Sequence, residues 1–161
     1  MIKIYRPGAT GALLDIYEQA IEELKSSIQD IPDRALTIII DAETTDENCK
    51  SLQAILSHVV SSAYGYATSI HNLKGPYIKR PQKTWHLTIK EYTADLEDVF
   101  SFTENIFKEI PDDELEQFDN LLKIKAGWGQ LYDIEQMAEH AIIHLLRHKR
   151  QIEKIKRNQL K

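Results

Sequence analysis

The sequence has a single cysteine, Cys49, among its 161 residues. One thiol cannot form an internal disulfide, and we therefore expect a cytoplasmic protein. The chain also lacks any apolar run near the roughly 20 residues that are needed to cross a bilayer. Its start, MIKIYRPGAT, has neither the apolar segment nor the cleavage site of a signal peptide. These absences predict no membrane partner.

Positive charge is in deficit. The chain has 20 basic and 25 acidic residues, and its net charge of −5 argues against nucleic acid as a partner. The basic residues near the C-terminal end complement the dipole of a predicted helix, and we interpret them as a solvated face. An alternative is that Arg147 or Arg150 binds the carboxylates of an anionic thiol substrate.

No internal repeat or low-complexity tract divides the chain, and its length predicts one domain over residues 1–161. Apolar residues at helical spacing predict four long helices. The first predicted helix follows Pro7 and Gly8, and the second covers about residues 47–72. The third runs from about Thr88 to Pro111, and the fourth begins near Asp133.

Two capping-box patterns, Thr44 with Glu47 and Thr88 with Glu91, predict where the second and third helices begin. A short helix is expected over residues 112–125. Residues 36–40 are compatible with a strand, but no second convincing strand is present, and we expect no sheet. The pattern predicts an all-α protein, a four-helix bundle with some long connections.

Three histidines, His140, His144 and His148, recur every four residues in the last predicted helix. Side chains four apart share a helix face, and two imidazoles at this spacing can bind one metal ion. At about 100° per residue, His148 lies roughly 40° from the centre of the apolar stripe, His144 roughly 80° and His140 roughly 120°. We therefore expect His148 to face inward, His144 to lie at the edge of the core, and His140 to be solvated.

Two familiar metal-site classes are excluded by residues that are absent. The Glu that a zinc protease needs directly after its first helical His is missing. The Glu-x-x-His motifs of a di-iron bundle are also missing. Partly exposed surface histidines with no ligand remain an alternative for the pair on the last helix.

A third ligand has to come from elsewhere, and His58 in the second predicted helix is the best donor. Small residues follow it along its own helix line, at Ser62, Gly65 and Ser69. A row of small residues beside a histidine leaves volume for a ligand pocket. A solvent-facing histidine on a polar helix side remains the alternative.

His58, His144 and His148, with the run HLLRHKRQI, resemble the DinB/YfiT-like metalloprotein family. The last helix of that family often carries His-x-x-x-His-Arg-Gly-Gln-Ile. Here Lys149 and Arg150 replace the Arg and Gly, while the following Gln and Ile match. The stretches RPGATGALLDIYEQA, SHVVSSAYGYA and YDIEQMAEHAIIHLLRHKRQIE extend the resemblance over almost the whole chain.

The resemblance implies a four-helix bundle that is often dimeric, with one divalent metal held by three side chains and one open position. On this basis His58, His144 and His148 are the expected ligands of Zn, Ni or Fe, and a homodimer is expected. Some relatives are thiol-dependent S-transferases or isomerases that use low-molecular-weight thiols. Such a role needs no protein nucleophile, because a thiol entering the open position loses its proton.

Several functions stay open at this point. The chain is either a metal-dependent thiol transferase acting on a small molecule, with a metal-dependent hydrolase as a variant, or a non-catalytic metal-binding, dimerising bundle. Glu139, Asp95 and Glu91 are candidate partners for the second ring nitrogen of the ligands. Trp128 is expected to plug the end of the bundle, and Cys49 to be a structural thiol in the first turn of the second helix.

Overall fold

The computed structural model describes residues 4–159, and within them the chain is an all-α four-helix bundle. The helices are α1 (Gly8–Ile28), α2 (Leu52–Lys74), α3 (Ile89–Phe107) and α4 (Ile134–Gln159). Short 3-10 turns cover Asp33–Ala35, Glu47–Cys49, Asp112–Glu114 and Asn120–Leu122. The strands β1 (Ile124–Lys125) and β2 (Leu131–Tyr132) pair antiparallel, with Ile124 opposite Tyr132. The predicted fold class is confirmed.

The core is formed where α1 and α2 each pack against both α3 and α4. The pair α1 and α2 therefore lies on one diagonal of the bundle, and α2 is a direct neighbour of α4. Leu24, Leu56 and Leu96 are fully buried in the larger of two apolar clusters. Burying each such side chain contributes about 1.5–3 kcal/mol, so the packing of the apolar stripes fixes the mutual rotation of the helices.

The predicted capping box is present at the start of α3 but not at the start of α2, where a contact with a distant residue also acts. Thr88 and Glu91 form the predicted capping box at the start of α3. The box predicted from Thr44 and Glu47 is wrong, because α2 begins only at Leu52 and its cap is the Ser51 hydroxyl. An isolated bridge between Ile39 and Ser51 keeps the chain extended up to that point.

The connection between α3 and α4 also departs from the prediction. The short helix expected over residues 112–125 is absent. The expectation of no sheet is also wrong, because β1 and β2 form a small ribbon of two strands with two residues each. The ribbon is closed by a turn in which Gly129 donates to the carbonyl of Ala126 and adopts a φ of 95°. This φ favours glycine, and the turn presents Trp128 beside the start of α4.

None of the helices within residues 4–159 combines the length and the hydropathy that are needed to span a bilayer.

Candidate metal centre

The three histidines singled out in the sequence meet between α2 and α4. The Nε2 atoms of His58 and His144 lie 3.0 Å apart, and those of His144 and His148 lie 3.2 Å apart. One ligand atom from each of the three residues falls within 4.8 Å of the others. The site is therefore a compact triad of imidazoles from two neighbouring helices.

Helix periodicity explains these positions. His148 is buried, with 7% of its surface exposed, and His144 one turn earlier is half-buried. Both agree with the angles predicted from the apolar stripe of α4. His58 is half-buried on the face of α2 that meets α4. The adjacency of these two helices supplies the third imidazole to the pair on α4.

The spacing of the triad fits a divalent metal ion. Imidazole nitrogens bind zinc at about 2.0–2.1 Å in a tetrahedral site, and this places two ligand nitrogens about 3.3 Å apart. The separations of 3.0 and 3.2 Å are close to that value. The three residues are thus close enough to hold one ion. Three nitrogens leave a fourth tetrahedral position without a protein ligand.

Burial keeps the three imidazoles neutral. It lowers the pKa of His58 to about 4, and repulsion from the protonated form of His148 adds to the shift. It lowers the pKa of His144 to about 3, with His148 and then His58 contributing. Burial also lowers the pKa of His148, although its hydrogen bond to Gln151 opposes the shift. Near pH 7 each ring therefore offers a lone pair instead of a second N–H.

The second ring nitrogens have partners that the sequence analysis missed. The Nδ1–H of His148 donates to Oε1 of Gln151 at 2.8 Å, and this leaves Nε2 of His148 as the lone-pair atom. Nδ1 of His58 lies 3.5 Å from the hydroxyl of Ser62. Gln151 follows His148 by three residues, and the helical neighbour rule could have identified it.

The acids expected in this role do not serve the triad. Asp95 lies 2.7 Å from Nε2 of His86 and Glu91 lies 3.8 Å from its Nδ1, so both belong to a different histidine. Glu139 is exposed and, within the described residues, has no hydrogen bond to the triad. The prediction of an acidic partner for the ligands is therefore wrong.

His140 lies outside the triad, but it is not solvated as predicted. It is half-buried, and its ring stacks on Trp128 with centroids 4.9 Å apart and an interplanar angle of 27°. Tyr66 and Tyr132 also contact the ring. The ribbon between α3 and α4 provides this cover, and helix angles alone could not reveal it.

A cavity of about 420 Å³ opens beside His58. One wall is the line of small residues Ser62, Gly65 and Ser69, which follows His58 along α2 as the sequence indicated. Trp128 also lines the cavity, so it borders a cavity and does not only plug the bundle end. The volume falls within the range of roughly 300–1,000 Å³ that is common for small-molecule sites.

Cys49 lies in the 3-10 turn before α2, so its predicted place in the first helical turn is wrong. Its Sγ lies 3.5 Å from the carboxylate of Asp46, and burial raises the pKa of the thiol. A thiol with a raised pKa is a poor nucleophile. These features agree with a structural thiol.

Comparison of the chain with protein-family models, curated proteins and solved structures finds no match. The chemistry of the site therefore has to follow from its own residues. Those residues supply three neutral imidazoles and an adjoining cavity.

Proposed function

We propose that this protein is a divalent-metal-binding bundle of the DinB/YfiT-like kind that transfers a low-molecular-weight thiol to an electrophile. The observation that carries the proposal is the convergence of three imidazole nitrogens, within 4.8 Å, beside a cavity of about 420 Å³. Imidazole donors suit Zn, Ni and Fe alike.

Each residue of the triad has a defined task. His58, His144 and His148 hold the ion, and Gln151 fixes the ring orientation of His148 through its hydrogen bond to Nδ1. When bound by these neutral imidazoles, a divalent ion would keep its full charge and would lower the pKa of a thiol that binds beside it. The cavity beside His58 admits and orients that thiol.

The transfer balances without a protein nucleophile. The thiol releases its S–H proton to solvent, and a sulfur lone pair forms the new bond to the electrophilic carbon. The leaving group departs from that carbon with the electron pair of the broken bond. No oxidant or reductant is required.

The cavity distinguishes this proposal from the alternatives. A structural metal site is closed by protein ligands on all sides, whereas His58 of this triad lines a cavity with space for a small molecule. The helical zinc proteases, which hydrolyse their substrates at a related site, use a carboxylate as the general base. None of the described residues that line the cavity is Asp or Glu. Thiol transfer needs no such base, and it therefore agrees better than hydrolysis with the residues that line the cavity.

The experiment compares metal-free protein with protein reloaded separately with Zn, Ni or Fe, using a panel of cellular thiols and a chromogenic aryl halide. We expect a thiol-transfer rate that requires metal and disappears in His144→Ala. The matched control His140→Ala alters a neighbouring histidine outside the triad and should keep the rate. Stoichiometric metal without a metal-dependent rate for any thiol would favour the non-catalytic bundle.

A further inference from the structure

The cavity beside the triad carries positive charge in an acidic protein. Arg80 and Lys125 both line it. None of the described residues that line the cavity is Asp or Glu, so no carboxylate of its wall neutralises these cations. The chain as a whole has a net charge of −5. Local positive charge against that background points to an anionic ligand.

Arg80 is the cation with the most defined position. Its Nη2 donates to the Ser61 hydroxyl at 2.6 Å, and its guanidinium lies against Gly65. A Cβ on Gly65 would lie 2.9 Å from Cζ of Arg80, so the glycine makes room for the flat group. Within residues 4–159 Arg80 has no ion pair with an acid. Burial lowers the pKa of Arg80, and no carboxylate offsets that cost.

The loop that carries Arg80, residues 75–88, is held against α2 by side chains. The Asn72 amide both accepts from the backbone N–H of Ile78, at 2.9 Å, and donates to its carbonyl, at 3.0 Å. Further along, the Gln53 amide donates to the carbonyl of His86 at 2.8 Å. These contacts position Arg80 before any ligand arrives, which lowers the entropic cost of binding.

The spacing along α2 sets the size of the ligand. Ser61 and Gly65, which contact the guanidinium, follow His58 by three and seven residues. At 1.5 Å of rise per residue, Arg80 lies roughly 5–10 Å along the helix from the triad. Thr68 lines the same cavity, and its hydroxyl is buried with no hydrogen-bond partner within the described residues.

We propose that the cavity selects thiols that carry an oxyanionic group, a carboxylate or a phosphate, and that Arg80 binds this group while the sulfur reaches the triad. This inference rests on the proposed function and adds the substrate class. The planar guanidinium matches either oxyanion with two parallel hydrogen bonds. Arg80 therefore takes the role that Arg147 or Arg150 was considered for, because it lines the cavity.

The test uses cobalt-loaded protein and three thiols of equal chain length: ω-mercaptohexanoate, ω-mercaptohexyl phosphate and ω-mercaptohexanol. Binding is followed by the sulfur-to-cobalt charge-transfer absorption, which does not depend on turnover. We expect the carboxylate, the phosphate or both to bind about tenfold more tightly than the alcohol, as a charged hydrogen bond predicts. Arg80→Gln should remove this preference while leaving the metal content unchanged. Lys79→Gln changes a cation on the same loop outside the cavity wall and should keep it.

A second measurement separates this inference from the metal proposal. Inorganic phosphate is titrated into metal-free His144→Ala protein, with and without Arg80→Gln, by calorimetry. Arg80-dependent phosphate binding supports the anion site even if the protein takes up no metal. The inference is overturned if phosphate binding does not depend on Arg80. It is also overturned if the alcohol binds cobalt-loaded protein as tightly as both anions, or if the preference survives Arg80→Gln.

Discussion

At the scale of single residues, the candidate site depends on which nitrogen each histidine presents. Helix periodicity predicted that His148 faces inward and that His144 lies at the edge of the core, and the structure agrees. Small residues after His58 predicted the adjoining cavity. The sequence predicted acidic partners for the ligands, whereas the neutral amide of Gln151 accepts the hydrogen bond from Nδ1 of His148. That hydrogen bond selects the tautomer whose Nε2 points at the triad.

Gln151→Ala should lower the metal affinity by roughly 10–100-fold, because the ring of His148 loses the acceptor that orients it. Competition with a chromophoric chelator measures the affinity. Gln151→Glu retains an acceptor at the same place and should restore most of the binding. Equal affinity in the alanine variant and the wild type would remove Gln151 from the site.

Arg80 shows where residue-level prediction from the sequence ends. It lies in a loop whose path depends on Asn72 and Gln53, two side chains on another element. No periodicity places a loop residue beside a helix histidine. The sequence pointed instead to Arg147 and Arg150, which share the helix of two of the histidines.

At the scale of elements, two identical sequence patterns had different outcomes. Thr88 with Glu91 caps α3 as predicted, but Thr44 with Glu47 does not begin α2. Local spacing could not distinguish them, because the bridge from Ile39 decides the second case. The expected helix over residues 112–125 failed for a similar reason. The Asp112 carboxylate there accepts hydrogen bonds from the backbone of Ala9 and Thr10 and so serves the start of α1.

Ser51→Ala should lower the free energy of unfolding by about 1 kcal/mol, because the amide of Ala54 loses its capping acceptor. Thr44→Ala is the matched control, since Thr44 caps no α-helix, and its effect should stay within about 0.5 kcal/mol. Urea unfolding followed by circular dichroism gives both values. A larger loss in Thr44→Ala than in Ser51→Ala would contradict the observed start of α2.

At the scale of the whole molecule, the all-α bundle followed from four amphipathic stretches, because each must bury an apolar face. The adjacency of α2 and α4 did not follow from those stretches. That adjacency was inferred from His58 and the family resemblance, and α2 does pack against α4 in the structure. The bundle leaves some apolar residues outside its core. Ile16 on α1 and Ile143 on α4 are 53% and 62% exposed.

We expect a homodimer that covers Ile143. Ile143→Lys should shift the protein toward the monomer at micromolar concentration, because a buried unpaired charge opposes association. Ile38→Lys is the control, since Ile38 is 52% exposed but lies in the connection between α1 and α2. Light scattering reports the mass of each variant. A wild-type protein that is only monomeric under these conditions would contradict the expectation.

The central claim is that three histidines on two helices bind one ion, and elemental analysis of tag-free protein purified without added metal tests it most directly. We predict one equivalent of a divalent metal per chain in the wild type and in His140→Ala. We predict none in His58→Ala, His144→Ala or His148→Ala, with the helical circular dichroism spectrum of each variant unchanged. Stoichiometric metal that survives His58→Ala, or a wild type that binds no metal even when it is offered in excess, would contradict the account.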